Sequence, residues 1–295
     1  MNRRRFLTLS AAFACAPRLA HAATWRGVAL GADVSVTLSG PRGHTDAVLA
    51  GIPAELDRIE RLFSLYRPDS DLSVLNRTGQ LRPSAPFRAL LDLVDTAHRL
   101  TDGLFDPTIQ PLWSALAQGG DADVARQKAG WHRVRRDSDG TIRLGPQQAL
   151  TLNGIAQGYA TDLIRRQLQA AGFDRALVDI GEQAAIGGPF RLGLVDPDHG
   201  MVGTRTLTDL CIATSSPGAL RLGAAAHILA PDGRPPLWST VSIETRTDRF
   251  KAATLADALS TAAVFMPLDA LRRLKQAAAL HRVTVVDVRG DVATL

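Results

Sequence analysis

The chain has 295 residues, an ordinary hydrophobic share of 45% and a formal net charge of +5. A chain of this length and composition can bury a sizeable core, which excludes an intrinsically disordered protein. No apolar run reaches the length of about 18 residues that a membrane-spanning helix needs, so no such helix is expected.

The first 22 residues predict an export signal. The pair Arg3-Arg4 is followed by one spacer residue and Phe6-Leu7, then by an apolar run and the small-X-small site Ala20-His21-Ala22. This order predicts a twin-arginine signal peptide over residues 1–22 and one periplasmic domain over residues 23–295. Cys15 raises the alternative of a lipid anchor, but a bulky residue stands where that signal requires a small one.

Removal of this signal changes the charge and the cysteine count. Residues 1–22 carry four arginines and no acids, so the formal net charge falls from +5 to +1. The basic character therefore gives no argument for a nucleic-acid partner. Cys211 is the cysteine that remains, so no disulfide within the mature chain is expected.

The first half of the mature chain predicts strands followed by helices. Alternating apolar residues indicate two strand pieces over 24–38, broken by a bulge or a close approach at Gly31. Helical periodicity predicts helices over 47–65 and 86–100, with a short helix between them that Ser70 or Asp69 would cap.

The centre of the chain predicts a strand that turns sharply into a helix. Residues 149–152 have the pattern of a short strand, and Asn153-Gly154 is a turn dipeptide. Apolar residues then repeat four apart from Ile155, and Gly172 provides a helix stop. The start of such a helix can bind an anion, although an ordinary strand–helix junction has the same pattern.

The second half alternates short strands with turns and ends in helices over 255–265 and 268–280 and a strand over 281–288. No repeat and no linker interrupts it. The sequence therefore predicts a single α+β domain in which helices pack on antiparallel sheets.

The central motif Gly154-Ile155-Ala156-Gln157-Gly158-Tyr159-Ala160-Thr161-Asp162 resembles the signature of the ApbE family, the FAD:protein FMN transferases. Four further segments in the same order are similar to that family. They are the segment from Phe63 to Asn76, the loop from Gly103 to Thr108, His227-Ile228, and the segment from Ala256 to Ala262. The similarity spans about Val28 to Leu271 and implies an ApbE-like fold related to the T-fold.

The resemblance implies where FAD would bind. It places the ring of Tyr66 on the isoalloxazine, although an aromatic residue at a helix end before a polar loop more often forms a lid on the core. It places the backbone at Leu30, and also Thr151 and Gln157, near the flavin nucleotide. The loop residues Leu104, Phe105 and Asp106 would contact the adenine and ribose.

The resemblance also implies a Mg²⁺ site. Asp257 and Thr261 are four residues apart and would share one helix face, and a main-chain oxygen at Gly154 would be the third ligand. Asp257 would then be the only full negative charge that the protein gives the metal. The Asp-X-X-X-Thr pattern alone is more typical of a solvated or capping aspartate.

His227 is the candidate base for the acceptor hydroxyl, and a structural histidine is the alternative. Three positions depart from the family. The family often has lysine where this chain has Gln157, and it commonly has aspartate where this chain has Thr151. Ala230 also stands where the family has an aspartate. These departures leave room for reduced activity or a changed substrate.

The sequence thus predicts Mg²⁺-dependent transfer of FMN from FAD to a Thr or Ser hydroxyl of an exported flavoprotein, with release of AMP. Two alternatives use the same site. The protein could bind FAD without transferring it, or hydrolyse FAD to FMN and AMP.

Overall fold

The computed structural model describes residues 21–248 and 251–295. Most of the predicted signal peptide, including Cys15, therefore lies outside the described residues. Eight helices in this part of the chain are α1 Arg42–Phe63, α2 Asp71–Thr78, α3 Ala85–Leu100, α4 Gln110–Gln118, α5 Ala122–Arg126, α6 Ala156–Ala170, α7 Ala252–Ala263 and α8 Leu268–Ala277. None of these helices is both long enough and apolar enough to cross a membrane.

The described ranges also contain fifteen strands. They are β1 His21–Ala29, β2 Ala32–Gly40, β3 Gln80–Leu81, β4 Arg135–Arg136, β5 Ile142–Arg143, β6 Ala176–Asp179, β7 Gln183–Ile186, β8 Phe190–Asp196, β9 Gly200–Leu207, β10 Leu210–Ser215, β11 Arg221–Leu222, β12 Ala225–Ala226, β13 Thr240–Arg246, β14 Arg282–Val286 and β15 Val292–Thr294.

The main sheet has eight strands in the order β1-β2-β6-β7-β10-β13-β14-β15. Every neighbouring pair is antiparallel. Since successive side chains of a strand point to opposite faces, the sheet contributes side chains to two hydrophobic cores. Val178 packs with the large core that includes the helices, whereas its neighbour Leu177 packs in a smaller core with β8 and β9. The predicted α+β class with antiparallel sheets is confirmed.

The first strands form a hairpin, and the predicted bulge is wrong. β1 and β2 pair in continuous register from His21–Gly40 to Ala29–Ala32. Leu30 and Gly31 form the two-residue turn with φ values of 51° and 80°. Positive φ at both central positions is the geometry that suits the twist of a two-residue hairpin.

The predicted strand before the central helix is also wrong. Residues 149–152 belong to no strand or sheet. The side chain of Asn76 takes the place of a neighbouring strand at Leu150, because Asn76 Oδ1 accepts from Leu150 N at 2.7 Å and Nδ2 donates to Leu150 O at 2.8 Å. One amide side chain thus satisfies both backbone groups of a residue that is fully buried.

Candidate functional site

The candidate site is built where α6 and α7 cross. Asp257 in α7 is only 3% exposed, and its Oδ2 accepts a hydrogen bond of 2.9 Å from the backbone N of Gly158 in the first turn of α6. Burial raises the pKa of Asp257 to about 7, and the Gly158 hydrogen bond opposes this rise. The positive end of α6 therefore faces a carboxylate in a desolvated setting.

The other two residues of the predicted metal site lie beside Asp257. Thr261 Oγ1 donates to Asp257 O at 3.2 Å, one helical turn earlier. A Cβ atom placed on Gly154 would lie 2.8 Å from Thr261 Oγ1, so the corner before α6 touches this side chain. Carboxylate, hydroxyl and carbonyl oxygens are hard ligands of the kind that Mg²⁺ prefers, so this donor set fits the ion. That it binds one stays a prediction.

Glycine at position 158 permits the close helix crossing. A Cβ atom there would lie 2.4 Å from Ala253 O and 2.8 Å from Asp257 Cβ. Such distances leave no room for a side chain, because the first contact is to backbone rather than to a flexible chain end. The approach of α6 to α7, and with it the hydrogen bond to Asp257, depends on this residue.

We expect Gly158→Ala to destabilise the protein by about 1–3 kcal/mol, the usual cost of overpacking. A glycine-to-alanine change in an open helix position instead stabilises by up to about 1 kcal/mol, so the steric conflict decides the sign. Gly51→Ala in α1 is the matched control, since a Cβ atom there meets nothing within 4 Å. Urea unfolding of both variants measures the difference, and a Gly158→Ala variant as stable as wild type would contradict the crossing geometry.

An aspartate of α6 also accepts hydrogen bonds from the first turn of α7. Asp162 Oδ2 accepts from Thr254 N at 2.8 Å and from Thr254 Oγ1 at 2.7 Å, in the first turn of α7. The residue before α7, Lys251, makes no side-chain cap of its own. Each helix therefore caps the other with an aspartate, which fixes their relative position and so the position of Asp257.

A hydroxyl network missed by the sequence analysis supports Thr261. Ser215 Oγ, at the end of β10, lies 2.8 Å from Ser260 Oγ and 3.5 Å from Thr261 Oγ1. Ser260 Oγ donates to Asp257 O at 2.9 Å. No sequence pattern distinguishes these serines, because the contact joins a strand to a helix about 45 residues later.

Tyr66 does not form a lid on the core. Its side chain is 65% exposed, in the segment between α1 and α2. Ser64 Oγ accepts from the backbone N of Tyr66 at 3.1 Å and from that of Arg67 at 3.3 Å, so the segment is held in a defined turn. An exposed aromatic ring on an ordered turn suits stacking against a planar ligand, and that role stays a prediction.

Leu30 and Gln157 are brought together from distant parts of the chain. Gln157 Nε2 donates to Leu30 O at 3.4 Å, and Glu60 Oε1 accepts from Leu30 N at 2.8 Å. A Cβ atom on Gly181 would lie 2.6–2.7 Å from the Gln157 amide, so this amide also covers the turn after β6. The predicted nucleotide contacts at Leu30 and Gln157 thus belong to one surface.

The loop at Asp106 lies against Thr151. Asp106 is buried, and its carboxylate accepts from Thr108 N, Thr108 Oγ1 and Trp131 N at 2.5–3.0 Å. Thr151 N donates to Pro107 O at 2.8 Å. Asp106 is therefore engaged inside the protein and holds the loop. Leu104 is half-buried and Phe105 is buried, and nucleotide contacts by these three residues stay predictions.

His227 follows β12 and is oriented by main-chain oxygens. Its Nδ1 lies 3.1 Å from Pro217 O and 3.3 Å from Leu220 O, so Nδ1 carries the proton and Nε2 is the basic nitrogen. Burial lowers the pKa of His227, which keeps the ring neutral near pH 7. Pro217 is two residues beyond Ser215, so one short segment connects His227 to the hydroxyl network at Thr261.

A second carboxylate, which the sequence analysis did not select, lies near Asp257. Glu182 is 5% exposed, and its pKa is raised well above its usual value by burial and by the charge of Asp257. The sequence analysis named Asp257 alone as an acidic residue of this site, and Glu182 is a second buried one. That Asp257 is the only full negative charge given to the metal stays a prediction.

Comparisons with known proteins find relatives of this chain by sequence. A family model described as "ApbE family" matches residues 30–285. The FAD:protein FMN transferase of Salmonella typhimurium is 28% identical over 226 residues, which are 65% of this chain and 64% of the relative. The FAD:protein FMN transferase of Vibrio cholerae is 25% identical over 241 residues, or 72% of this chain and 71% of the relative.

Solved structures share the fold. The flavin transferase ApbE from Vibrio cholerae superposes with a TM-score of 0.79 at 21% identity and covers 94% of this chain and 97% of that chain. The ApbE protein from Thermotoga maritima gives a TM-score of 0.81 at 23% identity, with 92% and 96% covered. The sequence match to the Salmonella relative spans less than two thirds of that protein's length.

Proposed function

Because the chain belongs to the ApbE family, we propose that it is an enzyme that transfers FMN from FAD to a Thr or Ser hydroxyl of another exported protein, with Mg²⁺ and with release of AMP. The observation that carries this proposal is the buried Asp257, which meets the N-terminus of α6 beside Thr261 and Gly154. A protein that only binds FAD would not need a buried carboxylate beside a helix N-terminus that can bind the pyrophosphate.

Asp257, Thr261 and the main-chain oxygen of Gly154 would hold the Mg²⁺, which would neutralise charge on the pyrophosphate. The N-terminal backbone groups of α6 add positive potential at the same place. Tyr66 would stack on the isoalloxazine, and the surface formed by Leu30 and Gln157 would orient the FMN half. These residues fix the phosphorus of the FMN half relative to the acceptor hydroxyl.

In the transfer step the acceptor oxygen forms a bond to the phosphorus of the FMN half. The phosphoanhydride bond to the AMP half breaks, and AMP leaves with the bridging oxygen. Nε2 of His227 accepts the proton of the attacking hydroxyl, and the lowered pKa of His227 supports its neutral form at pH 7.

The test is incubation of the protein with FAD, Mg²⁺ and a candidate acceptor protein, read by the mass of the acceptor and by AMP release. A mass gain of one FMN together with an equal amount of AMP is the expected result. AMP and free FMN without a modified acceptor would indicate FAD hydrolysis. Bound FAD without either product would indicate a protein that only binds the flavin.

We expect Tyr66→Ala to weaken FAD binding by about 1–3 kcal/mol, the usual value for a base stacked on an aromatic side chain. The change should leave stability nearly unaltered, because the ring is exposed and contributes little to the core. Flavin fluorescence titration measures the affinity. Tyr66→Phe keeps the ring and serves as the control, with affinity close to wild type. Equal FAD affinity in the alanine variant would exclude stacking.

The proposed location is the periplasm, reached by the twin-arginine pathway. Arg3→Lys together with Arg4→Lys keeps the charge but removes the guanidinium pair that this pathway reads. We expect the precursor of the double variant to accumulate in the cytoplasm. Fractionation and immunoblotting measure this, and normal export of the double variant would overturn the proposed route.

A further inference from the structure

The ring of His227 is held by a short turn that begins at Ser216. Pro217 O and Leu220 O are the acceptors for its Nδ1, at 3.1 and 3.3 Å, and Leu220 O also accepts from the backbone N of His227 at 3.1 Å. Ser216 O accepts from Ala219 N at 3.0 Å and closes the turn. The proline ring fixes φ at Pro217, so the direction of its carbonyl follows from the conformation of Ser216. The position of Ser216 therefore decides where the acceptors of His227 lie.

The side chain of Ser216 does not cap this turn and instead contacts the first residue of β13. Ser216 Oγ lies 2.8 Å from Thr240 Oγ1, and both side chains are buried. Thr240 Oγ1 in turn donates to Asp196 Oδ2 at 2.7 Å. A hydroxyl has one proton, so Thr240 donates only once and Ser216 is the donor in the first contact. The hydrogen bonds thus run in one direction, from Ser216 through Thr240 to the Asp196 carboxylate.

Asp196, the last residue of β8, is the fixed end of this series of hydrogen bonds. Its side chain is buried, its Oδ1 accepts from Asp198 N at 2.9 Å and from His199 N at 3.0 Å, and its Oδ2 also accepts from Ser239 Oγ at 2.6 Å. Burial opposes the ionisation of Asp196, but these hydrogen bonds and the one from Thr240 outweigh it and lower the pKa of Asp196. The carboxylate therefore remains a charged acceptor near pH 7.

A second contact joins the same two segments. A Cβ atom on Gly218 would lie 3.5 Å from Asp198 Oδ2, which is an ordinary van der Waals distance. The turn after β8 thus lies against the turn that holds His227. Asp196 supports that turn in two ways, through Thr240 and through the backbone of Asp198.

We propose that Asp196 and Thr240 are positioning residues for His227, which fix through Ser216 the turn whose carbonyl oxygens orient the ring. This inference rests on the proposed role of His227 as the base. Nε2 of His227 has to face the acceptor hydroxyl to take its proton, so a small displacement of the ring lowers the rate. Asp196 and Thr240 act through Ser216 and not on the reacting atoms.

The first experiment measures FMN transfer with FAD and Mg²⁺ for variants of the hydroxyl pair. Thr240→Val keeps the shape of the side chain and removes the hydroxyl. We expect its kcat to fall by about 10–100-fold, because a displacement of about 1 Å can cost about 10²-fold. KM for FAD should stay close to that of wild type. Ser216→Ala removes the same hydrogen bond from its other end and should have the same effect, which keeps the test available if the buried valine prevents folding.

Two further variants separate positioning from stability. Thr240→Ser keeps the hydroxyl, and we expect it to restore most of the rate. Ser239→Ala is the matched control, since Ser239 Oγ donates to the same oxygen of Asp196 but the hydrogen bond from Ser216 goes to Thr240. We expect its kcat per folded molecule to stay close to that of wild type. Equal kcat in Thr240→Val and Ser239→Ala overturns the proposal.

The second experiment observes the ring of His227 directly. ¹⁵N NMR of the histidine-labelled mature chain, at a pH where the ring is neutral, reports which nitrogen carries the proton, and His227→Gln assigns the signal. In wild type we expect the proton on Nδ1. In Thr240→Val and Ser216→Ala we expect a mixture of the two tautomers, because the acceptors of Nδ1 are no longer fixed. A proton on Nε2 in wild type, or an unchanged signal in both variants, overturns the proposal.

The outcomes separate this inference from the proposed activity. Wild type that transfers no FMN overturns the transferase proposal, and the His227 signal in Thr240→Val still decides whether Thr240 orients the ring. Full turnover in His227→Gln overturns both the role of His227 as the base and this inference.

Discussion

Replacement of Asp257 by asparagine is expected to lower FMN transfer by about 10²-fold or more at saturating FAD. The variant keeps the shape of the side chain and an acceptor for Gly158 N, but it removes the carboxylate that would bind Mg²⁺. FAD should still bind, since Tyr66 and the surface of Leu30 and Gln157 do not depend on the metal. Turnover, Mg²⁺ dependence and FAD affinity are measured on the same preparation.

The pH dependence of stability tests the burial of the Asp257 carboxylate. Burial raises the pKa of Asp257 to about 7, so the folded protein binds this proton more tightly than the unfolded chain. Metal-free wild type should therefore lose stability as the pH rises from about 4 to about 7. Asp257→Asn lacks this loss and keeps the acceptor that caps α6, so it should be at least as stable as metal-free wild type at pH 8.

Asp162→Asn is the control for Asp257→Asn. Asp162 is also a buried aspartate that binds a helix start, but it caps α7 through Thr254. We expect lower stability with Mg²⁺-dependent turnover retained per folded molecule. Full Mg²⁺-dependent turnover in Asp257→Asn would show that Asp257 is not a ligand of the metal.

Replacement of His227 by glutamine is expected to lower transfer by about 10²-fold or more at pH 7, because general-base catalysis contributes 10²–10⁴-fold. Glutamine retains an N–H donor for Pro217 O, so the loop has a partner similar to that of the histidine. Mg²⁺ and FAD affinities should stay close to those of wild type. A purely structural histidine predicts lower stability and normal turnover.

The pH profile tests the same residue independently. A base must be neutral, and burial lowers the pKa of His227, so wild type should keep its transfer rate below the ordinary histidine value of 6.5. The rate should fall only as the pH drops through the lowered value. At saturating Mg²⁺ and FAD this acid limb should be absent in His227→Gln, and its persistence would assign the limb to another group.

Local sequence patterns were sufficient to predict elements that depend on interactions within a few residues. The four-residue repeat from Ile155 and the stop at Gly172 predicted α6, which the structure places at Ala156–Ala170 with Gly172 at a φ of 84°. Ser70 caps α2 as expected, since its side chain accepts from Ser73 N. These are interactions within a few residues, which a sequence pattern contains in full.

Elements that depend on distant partners were missed. The sequence analysis assigned no strand to 200–206, where β9 lies, because only one of the eight β9 residues is buried and the segment shows no apolar alternation. β9 exists through its backbone pairing with β8. The segment 149–152 has the composition of a strand, but the Asn76 side chain and Pro107 O satisfy its backbone instead.

The sequence by itself predicted the helices and the family resemblance from local patterns, and that resemblance selected Asp257, Thr261 and Gly154. Only the tertiary structure decided how they meet. The missing side chain of Gly158 lets α6 and α7 cross closely, and Asp162 and Asp257 then cap the opposite helices. It also exposed Tyr66 and brought Glu182 near Asp257. Burial and electrostatic contact between residues about 75–100 positions apart are properties of packing, which no local pattern encodes.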